Sequence, residues 1–359
     1  MKNAKKLLSL SLAILLSTFT LGCKQANAIG TANTGTNNTQ QTIVADMKVH
    51  YIDVGQGDSE LIQIGDKNIL IDAGCNDNKA LNYLKSIGIT NLDYVIATHP
   101  HEDHIGGMTS VINNFEIGEF YAPKVTHTTR TFENMVKALQ NKGLKITVPK
   151  VGDTLTIGNA TMQFLAPNSA TYQDMNNYSI ACKLKYGNTS YVFMGDAEAL
   201  SEGEILAKQL DISADVLKLG HHGSHSSTSQ AFLDKVNPKY AIVSCGKDND
   251  YGHPHQETID KLNVKNINIL RTDVSGTIIS TSDGNNISFN VNTSNNTSTG
   301  NTTNNNIPET KTKSNSVWVA NKTSKVYHSS KDCSNMKSPT EVSLEDAKVK
   351  GLKPCSKCN

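Results

Sequence analysis

The segment His99-Pro100-His101-Glu102-Asp103-His104 constrains this chain more than any other, because it concentrates histidines and carboxylates directly after an apolar run from Tyr94 to Thr98. Neutral imidazoles and carboxylates are the ligands that borderline divalent ions such as zinc select. Two histidines one residue apart can converge on one ion from an extended loop, and the aspartate and the last histidine remain available to a second ion. The segment therefore predicts a metal site at the end of a strand. The alternative is a solvated polar loop that is rich in histidine by chance.

Three further polar clusters each follow a predicted strand or the loop after it. They are Gly195-Asp196-Ala197-Glu198, Gly220-His221-His222-Gly223-Ser224-His225 and Tyr251-Gly252-His253-Pro254-His255. Strand ends of one sheet lie at a common edge, and rigid scaffolds present catalytic groups on the loops there. These positions predict that the clusters join the first segment, although any single later histidine could instead be a structural residue.

The length and charge of the chain limit its organisation and its partners. A chain of 359 residues is longer than one ordinary domain requires, so we expect a large domain and a smaller appendage. The net charge of +1 argues against a general polyanion binder, since nonspecific phosphate affinity normally needs a basic excess. Any contact with nucleic acid must therefore be local. Cys75, Cys182 and Cys245 are dispersed along the chain, which is not the pattern of a disulfide scaffold.

The N-terminus has the features of a secretory signal. Lysines precede an apolar stretch from Leu7 to Leu21 that is too short for a comfortable membrane span, so we expect residues 1–28 to be a signal peptide and the protein to act outside the cell. Thr20-Leu21-Gly22-Cys23 resembles a bacterial lipobox, in which Cys23 would carry a lipid anchor to the membrane. Ala26-Asn27-Ala28 is the alternative, a signal peptidase site that would release the protein; we favour the anchored form.

Two segments of low complexity divide the rest of the chain. Residues 29–46 and 291–316 are rich in Thr, Asn, Gly and Ser and poor in apolar residues, which is typical of flexible linkers. They separate a main domain at 47–290 from a compact tail at 317–359.

The main domain alternates short apolar strands with helices, which favours a layered α/β fold. The predicted strands are Met47–Val54, Leu61–Ile64, Ile69–Ile71, Thr154–Ile157, Thr161–Leu165, Ile180–Tyr186, Tyr191–Met194, Val216–Leu219 and Tyr240–Ser244. The predicted helices are Asn78–Ile87, Thr131–Lys142, Ala199–Gln209, Gln230–Val236 and Gln256–Val264. Two halves of strands followed by helices would build a sandwich of two sheets between helical layers.

These motifs carry a resemblance to a known family. The segment from His99 to His104 matches the His-x-His-x-Asp-His signature of the metallo-β-lactamase superfamily. More narrowly, the chain resembles the extracellular hydrolase domain of ComEC competence proteins, on the motifs Asp53-Val54-Gly55-Gln56-Gly57-Asp58-Ser59, Leu70-Ile71-Asp72-Ala73-Gly74, Gly195-Asp196-Ala197-Glu198, Gly220-His221-His222-Gly223-Ser224 and Tyr251-Gly252-His253-Pro254. The resemblance covers about Met47 to Ser280 and implies an αββα sandwich with a dinuclear metal site at one edge.

The resemblance implies two divalent ions, zinc or manganese, held by residues of these motifs. Carried over by motif, the ligands would be His99 and His101 for the first ion, Asp103 and His104 for the second, and Asp196 as the bridge between them. One late histidine would complete the second site, for which His222 and His253 are the candidates and His221 a weaker one.

The chain departs from the superfamily where a third histidine for the first ion usually stands. It has Asn176-Asn177-Tyr178-Ser179 there, and ComEC-like proteins resemble it in having Asn and Ser. The first ion would then be bound more weakly, or by Asn177 or a water. Ser179 is expected beside this ion or the substrate.

Further residues have expected roles around the ions. Asp72 is expected to hold a ligand imidazole by its other ring nitrogen, and Asp58 to do the same or to contact substrate. Two divalent ions would lower the pKa of a bridging water to about 7. The expected catalytic residues are Asp196 with Asp103, which would orient the hydroxide, and His221. Either His221 or a neighbouring imidazole would protonate the leaving alkoxide, and Ser224 or Ser226 would bind a phosphate oxygen.

The tail carries a second candidate metal site. His328, Cys333, Cys355 and Cys358 have the spacing of a structural zinc site of the Cys₃His type. A module of this size cannot bury much core, so a bound zinc ion would supply folding energy that it otherwise lacks. The tail resembles the small Ada-type metal-binding tails of some secreted bacterial nucleases and hydrolases. The alternative is a disulfide pair with one free thiol.

Three functions fit these features. The first is an exported metal-dependent phosphodiesterase, most simply a nuclease acting on extracellular nucleic acid, which the ComEC resemblance and the tail favour. The second is the hydrolysis of a lactam, lactone or other small ester by the same site. The third is a non-enzymatic surface binding module. No protein partner is predicted.

Overall fold

The chain divides into two compact units, Met1–Asn296 and Thr297–Asn359. The computed structural model describes residues 46–293 of the first unit and residues 316–320, 324–328, 333, 339–343, 347, 350 and 352–355 of the second. The division between the units falls within the predicted linker 291–316. The predicted signal peptide 1–28 and Cys23 lie outside the described residues, as does the predicted linker 29–46 apart from its last residue.

Two sheets form the described part of the first unit. Their strands, in chain order, are β1 (Met47–Tyr51), β2 (Glu60–Ile64), β3 (Lys67–Ile71), β4 (Asn91–Ile96), β5 (Glu116–Tyr121), β6 (Ile146–Thr147), β7 (Thr154–Ile157), β8 (Ala160–Phe164), β9 (Cys182–Tyr186), β10 (Thr189–Phe193), β11 (Val216–Lys218), β12 (Tyr240–Val243), β13 (Asn268–Arg271), β14 (Ile278–Ser282) and β15 (Ile287–Phe289). The first sheet has the order β15-β14-β1-β2-β3-β4-β5-β6, and the second has the order β13-β12-β11-β10-β9-β8-β7.

Each sheet combines an antiparallel part with a parallel part. In the first sheet, β3 to β6 are parallel, and the remaining pairs are antiparallel. In the second sheet, β10 to β13 are parallel, and β7 to β10 are antiparallel. The loops that leave the parallel strands at their carboxyl ends therefore gather at one edge of each sheet.

Helices connect the strands in both halves. They are α1 (Lys79–Ser86), α2 (Glu102–Ile105), α3 (Met108–Asn114), α4 (Arg130–Asn141), α5 (Ala199–Ala207), α6 (Gln230–Val236), α7 (Gln256–Val264) and α8 (Thr272–Ser275), with 3₁₀ turns at Met175–Tyr178 and Gly220–Gly223.

Three apolar layers hold the sheets and helices together. A central layer lies between the sheets, and an outer layer packs each sheet against its own helices. Because side chains alternate across a strand, one strand serves two layers. In β3, Ile69 and Ile71 belong to the central layer and Leu70 to an outer one; in β10, Phe193 and Val192 divide in the same way. The predicted αββα sandwich is confirmed.

The structure differs from the predicted elements at the end of the first strand, in the metal-binding segment and in several short elements. The first strand ends at Tyr51 rather than Val54, because a glycine-rich loop begins there. The metal-binding segment is not wholly an extended loop: His101 is the N-cap of the one-turn helix α2, which carries Asp103 and His104. A single turn is too short to produce a detectable helical period. The strands β5, β6, β13, β14 and β15 and the helices α3 and α8 were not predicted either.

Gly57 allows the loop after β1 to pass against α2. Its φ is 137°, a conformation that favours glycine, and a Cβ atom there would lie 2.2 Å from the carbonyl oxygen of Asp103. The next residue, Asp58, donates its backbone N–H to that same oxygen at 3.1 Å. The absence of a side chain at Gly57 thus brings Asp58 into the region of the metal-binding segment.

The described residues of the second unit form two small sheets. In one, β16 (Ser316–Val319) pairs antiparallel with β18 (Thr340–Ser343), and in the other β17 (Val326–Tyr327) pairs parallel with β19 (Lys353–Pro354). Within the part of the chain that the structure describes, no helix combines the length and the apolar composition of a membrane span.

Candidate metal centre

The four polar clusters meet at the edge where parallel strands end. The segment 99–104 follows β4, Asp196 follows β10, and the turn Gly220–Gly223 follows β11. In that turn His221 and His222 have φ values of 48° and 54°, in the left-handed region that disfavours side chains. Backbone strain of this kind is found where a fold must hold functional groups in place.

A first group of candidate ligands consists of His99, His101 and Asp196, whose ligand atoms all lie within 4.8 Å of one another. His99 Nε2 is 3.0 Å from His101 Nδ1 and 3.8 Å from Asp196 Oδ2. His99 and Asp196 are buried, and His101 is half-buried. This group can hold one divalent ion through two imidazoles and a carboxylate.

A second group consists of Asp103, His104, Asp196 and His222, again with all ligand atoms within 4.8 Å. His104 Nε2 is 3.1 Å from Asp196 Oδ1, and His222 Nε2 is 3.2 Å from Asp103 Oδ2. His104 Nε2 and Asp196 Oδ1 are buried and make no well-formed hydrogen bond, so both atoms can bind a cation once His104 has lost its proton. Asp196 belongs to both groups, which places it where a bridging ligand is required.

The histidines of the two groups are supported differently through their other ring nitrogens. Behind His104, Asp72 Oδ2 lies 2.8 Å from Nδ1; behind His222, Nδ1 contacts the carbonyl oxygen of Ser244 at 3.0 Å and lies 3.1 Å from Asp58 Oδ1. Behind His99, Nδ1 faces only hydroxyl groups, those of Thr98 at 3.1 Å and Ser179 at 3.3 Å. A carboxylate makes an imidazole a stronger ligand than a hydroxyl does. The second group should therefore bind its ion more tightly than the first.

Lys218 is a part of this site that sequence reasoning missed. Its side chain is 1% exposed, and its Nζ donates to Asp58 Oδ2 at 2.7 Å and to the carbonyl of Leu219 at 3.1 Å. Burial alone would lower the pKa of Lys218, but the carboxylates of Asp58 and Glu60 raise it above its ordinary value. The lysine thus stays charged and compensates the buried Asp58. The sequence feature that could have identified Lys218 is the occurrence of a lysine in the otherwise apolar strand β11.

Glu198 is a second residue that was not singled out. Its Oε1 lies 3.3 Å from His221 Nδ1, on the side where Ser226 Oγ is 3.0 Å away. The ring of His221 therefore presents Nε2 towards Asp196, whose Oδ2 is 3.9 Å distant. His221 lies beside both metal groups without belonging to either. Its contacts suit a proton donor rather than a ligand.

Three residues that were expected to contact an ion or the substrate have other partners in the structure. Asn177 Oδ1 accepts the backbone N–H groups of Glu198 and Ser201 and so caps α5 instead of facing an ion. Ser224 is 4% exposed and contacts Ser226, not the cavity. His253 belongs to neither group of candidate ligands, its ring centroid lying 6.0 Å from that of His222.

His253 has a separate place at the site. Burial, together with the neighbouring imidazoles of His222 and His221, lowers the pKa of His253 to about 4, so His253 is neutral at pH 7. An open cavity of about 430 Å³ leads to both metal groups, and its walls include His101, Asp103, Asp196, His221, His222, Tyr251 and His253.

The tail contains the other group with metal-ligand chemistry. Ligand atoms of His328, Cys333 and Cys355 lie within 4.8 Å of one another. The two sulfur atoms are 4.0 Å apart, about twice the length of a disulfide bond, so no disulfide joins Cys333 to Cys355. The fourth predicted ligand, Cys358, lies outside the described residues.

We predict that metal binds the main unit in two steps and that binding releases protons. Burial alone would lower the pKa values of His104 and His222, but Asp196 and the other carboxylates raise both well above the ordinary value. The metal-free imidazoles therefore hold protons that a cation must displace, and metal affinity should fall as the pH is lowered. Calorimetric titration in buffers of different ionisation enthalpy measures the protons released. Asp72→Asn should weaken only the tighter step, by roughly 10- to 100-fold; equal weakening of both steps would contradict the asymmetry.

We predict that Lys218→Met destabilises the protein by roughly 3 kcal/mol, because it removes the cation paired with Asp58 Oδ2 and leaves that buried carboxylate in contact with His222 alone. The double variant Asp58→Asn/Lys218→Met should recover most of this loss, since neither charge remains. Urea unfolding of the metal-free protein measures both effects. Lys239→Met is the matched control, because Lys239 is 73% exposed in its ion pair with Asp215 and should change stability by less than about 1 kcal/mol. A Lys218→Met variant as stable as that control would show that the buried pair does not matter.

Comparison with known proteins agrees with the fold and the site. Residues 52–247 match the family model of the metallo-beta-lactamase superfamily. The chain is 33% identical over 251 residues to ComE operon protein 3 of Bacillus subtilis, covering 64% of this chain and 32% of that protein. It is 31% identical over 241 residues to Recombination protein 2 of Haemophilus influenzae, covering 64% of this chain and 28% of that protein.

The chain thus spans less than a third of the length of these two relatives. Among solved structures, the metallo-beta-lactamase fold protein YhfI from Bacillus subtilis matches with a TM-score of 0.45 and 16% identity, covering 63% of this chain and 96% of that one. The family match includes the segment 99–104, Asp196 and His222, which form the two candidate ligand groups. The chain belongs to the metallo-β-lactamase superfamily of metal-dependent hydrolases, with ComEC-like competence proteins among its relatives, as its motifs predicted.

Proposed function

We propose that this protein is an exported phosphodiesterase that cleaves nucleic acid outside the cell, held at the membrane by a lipid on Cys23. The observation that carries the proposal is the open cavity in which two ligand groups share Asp196 while His221 stands beside them. A phosphodiester needs this combination, because charge develops on the attacked phosphate and on the leaving oxygen at the same time. The name of one relative, Recombination protein 2, favours nucleic acid as the substrate class.

The candidate ligands fit two divalent ions, which supply a strong nucleophile at neutral pH and stabilise the charge of the attacked phosphate. His99 and His101 would hold one ion, His104 and His222 the other, and Asp196 would contact both. Asp103 is 26% exposed and faces the cavity, so one carboxylate oxygen can orient the attacking water while the other contacts His222. The carboxylate of Asp103 would therefore fix the direction from which the water attacks the phosphate.

His221 is placed to protonate the leaving oxygen. Glu198 and Ser226 contact its Nδ1, which fixes the ring and leaves Nε2 towards the cavity. The side chain is 24% exposed, so a substrate oxygen can reach it. Asn176 and Asn177 donate to the carboxylate of Glu198 at 3.5 and 3.4 Å, which holds that carboxylate in position. The pair His221 and Glu198 is thus arranged as a proton donor with its orienting group.

We predict that the purified protein, loaded with manganese or zinc, cleaves DNA. The assay offers single-stranded DNA, double-stranded DNA, bis(p-nitrophenyl) phosphate and the lactam nitrocefin. The Asp196→Ala variant should lose both bound metal and hydrolysis, because Asp196 belongs to both ligand groups. Turnover of nitrocefin alone would favour a small-molecule hydrolase, and no turnover of any substrate would favour a binding module.

We also predict that His221→Asn lowers kcat for DNA by roughly 10²- to 10⁴-fold while metal content stays unchanged. The loss should be much smaller for bis(p-nitrophenyl) phosphate, because p-nitrophenolate leaves without protonation. Glu198→Gln, which keeps the size of the side chain, should reduce kcat for DNA less than His221→Asn does. Metal content is measured in parallel for each variant. A fall in bound metal in His221→Asn would identify His221 as a ligand instead of a proton donor.

A further inference from the structure

Tyr251 is an exposed aromatic side chain at the wall of the metal cavity. It is 66% exposed, and the other large hydrophobic side chains that are exposed among the described residues are all aliphatic. It lines the same cavity as Asp103, Asp196 and His221. Scattered apolar side chains are normal at a protein surface, so the informative feature of Tyr251 is its position at the cavity and not its exposure alone. Its location next to the candidate ligands points to a ligand that reaches them at the same time.

The ring of Tyr251 has one face covered and one face free. It stacks on His253 with ring centroids 5.6 Å apart and an angle of 19° between the planes. His253 in turn packs edge-on against His221 at 5.3 Å. The free face of Tyr251 therefore continues a short column of rings that begins at the proposed proton donor. A flat ligand on that face would extend the row of rings that leads through His253 to His221.

The loop that carries Tyr251 is held by Asn249. The side-chain amide of Asn249 donates to the carbonyls of His253 at 2.6 Å and Gly246 at 2.8 Å, and its Oδ1 accepts the backbone N–H of His253 at 2.9 Å. The N–H of Gly252 donates to the carbonyl of Asn249 at 3.2 Å. These contacts enclose Tyr251 in a closed loop, so that less conformational entropy is lost when a ligand stacks on its ring.

We propose that Tyr251 is a stacking platform for the nucleobase next to the cleaved phosphodiester, and that the substrate is therefore single-stranded nucleic acid; this rests on the proposed function. In a duplex both faces of a base are covered by its neighbours, whereas an unstacked strand offers a free face. Stacking on an aromatic side chain accepts any base, because every base has a π-face. It also supplies affinity without a basic surface, which suits a chain with a net charge of +1.

The test measures KM for a single-stranded DNA oligonucleotide and for the same oligonucleotide with one abasic site beside the cleaved bond. In the wild-type protein the abasic site should raise KM about tenfold, the size expected for one base–aromatic stack. Tyr251→Ala should raise KM for the intact oligonucleotide by a similar factor, and the abasic site should then add nothing. Tyr251→Phe keeps the ring and should stay within about twofold of wild type.

Val264→Ala is the matched control, because Val264 is 83% exposed on α7 and does not line the cavity; it should leave KM unchanged. A Tyr251→Ala variant that keeps both the wild-type KM and the wild-type response to the abasic site would overturn the platform while leaving the nuclease intact. Preference for double-stranded over single-stranded DNA would overturn it as well. If the wild-type protein cleaves no nucleic acid at all, the proposed function fails, and the platform fails with it.

Discussion

The carboxylate of Asp196 is the group on which the rest of the site depends. It is 2% exposed and lies within 4 Å of imidazole nitrogens from His99, His104 and His222, which come from both halves of the sandwich. A buried carboxylate is stable only when cations or donors surround it. The two sheets must therefore keep a fixed position relative to each other for the charge of Asp196 to be compensated. The apolar layer between the sheets fixes this relative position, and the site lies at the edge of that layer.

The charged residues that contact the ligand histidines also require the two sheets to keep this relative position. Asp72 supports His104, while Asp58 supports His222 and is itself paired with Lys218. This second chain of contacts crosses from the loop after β1 in the first sheet to β11 in the second. A hydrophobic residue at 218 would pack well against the neighbouring strand, but it would leave Asp58 uncompensated. The lysine is thus explained by the metal centre and not by the packing of the strand.

The sequence was sufficient for the parts of the site that are local. The segment 99–104 indicates its chemistry within six residues, and Asp196 could be placed because it follows a recognisable strand. The choice between His222 and His253 as the late ligand stayed open in the sequence and needed the fold. Lys218 could not be placed, because its partner Asp58 is 160 positions away and the pair exists only in the folded chain. Asn177 contacts the start of α5 and not an ion, and the sequence could not show this for a related reason.

An asparagine before a helix can either bind an ion or cap the helix, and at Asn177 only the position of α5 decides between them. The fold shows the same limit. The long central strands and helices were predictable from their periods, whereas α2 is a single turn, and β5 contains Gly118 and exposed glutamates that obscure its alternation. Gly118 is needed because a Cβ atom there would lie 2.5 Å from the carbonyl oxygen of Asp93 in β4.

The distribution of charge around the cavity also bears on how a polyanion would be held. The cavity wall contains three acidic residues, Glu102, Asp103 and Asp196, and no lysine or arginine among the described residues that line it. Without bound metal ions this wall offers a phosphodiester no excess of positive charge, because protonated His104 and His222 only balance the carboxylates of Asp103 and Asp196. The metal ions would therefore be needed for substrate binding as well as for hydrolysis, and contacts away from them must rely on something other than positive charge. The neutral imidazole of His253 and the exposed ring of Tyr251 are two groups at this wall that can contribute such contacts.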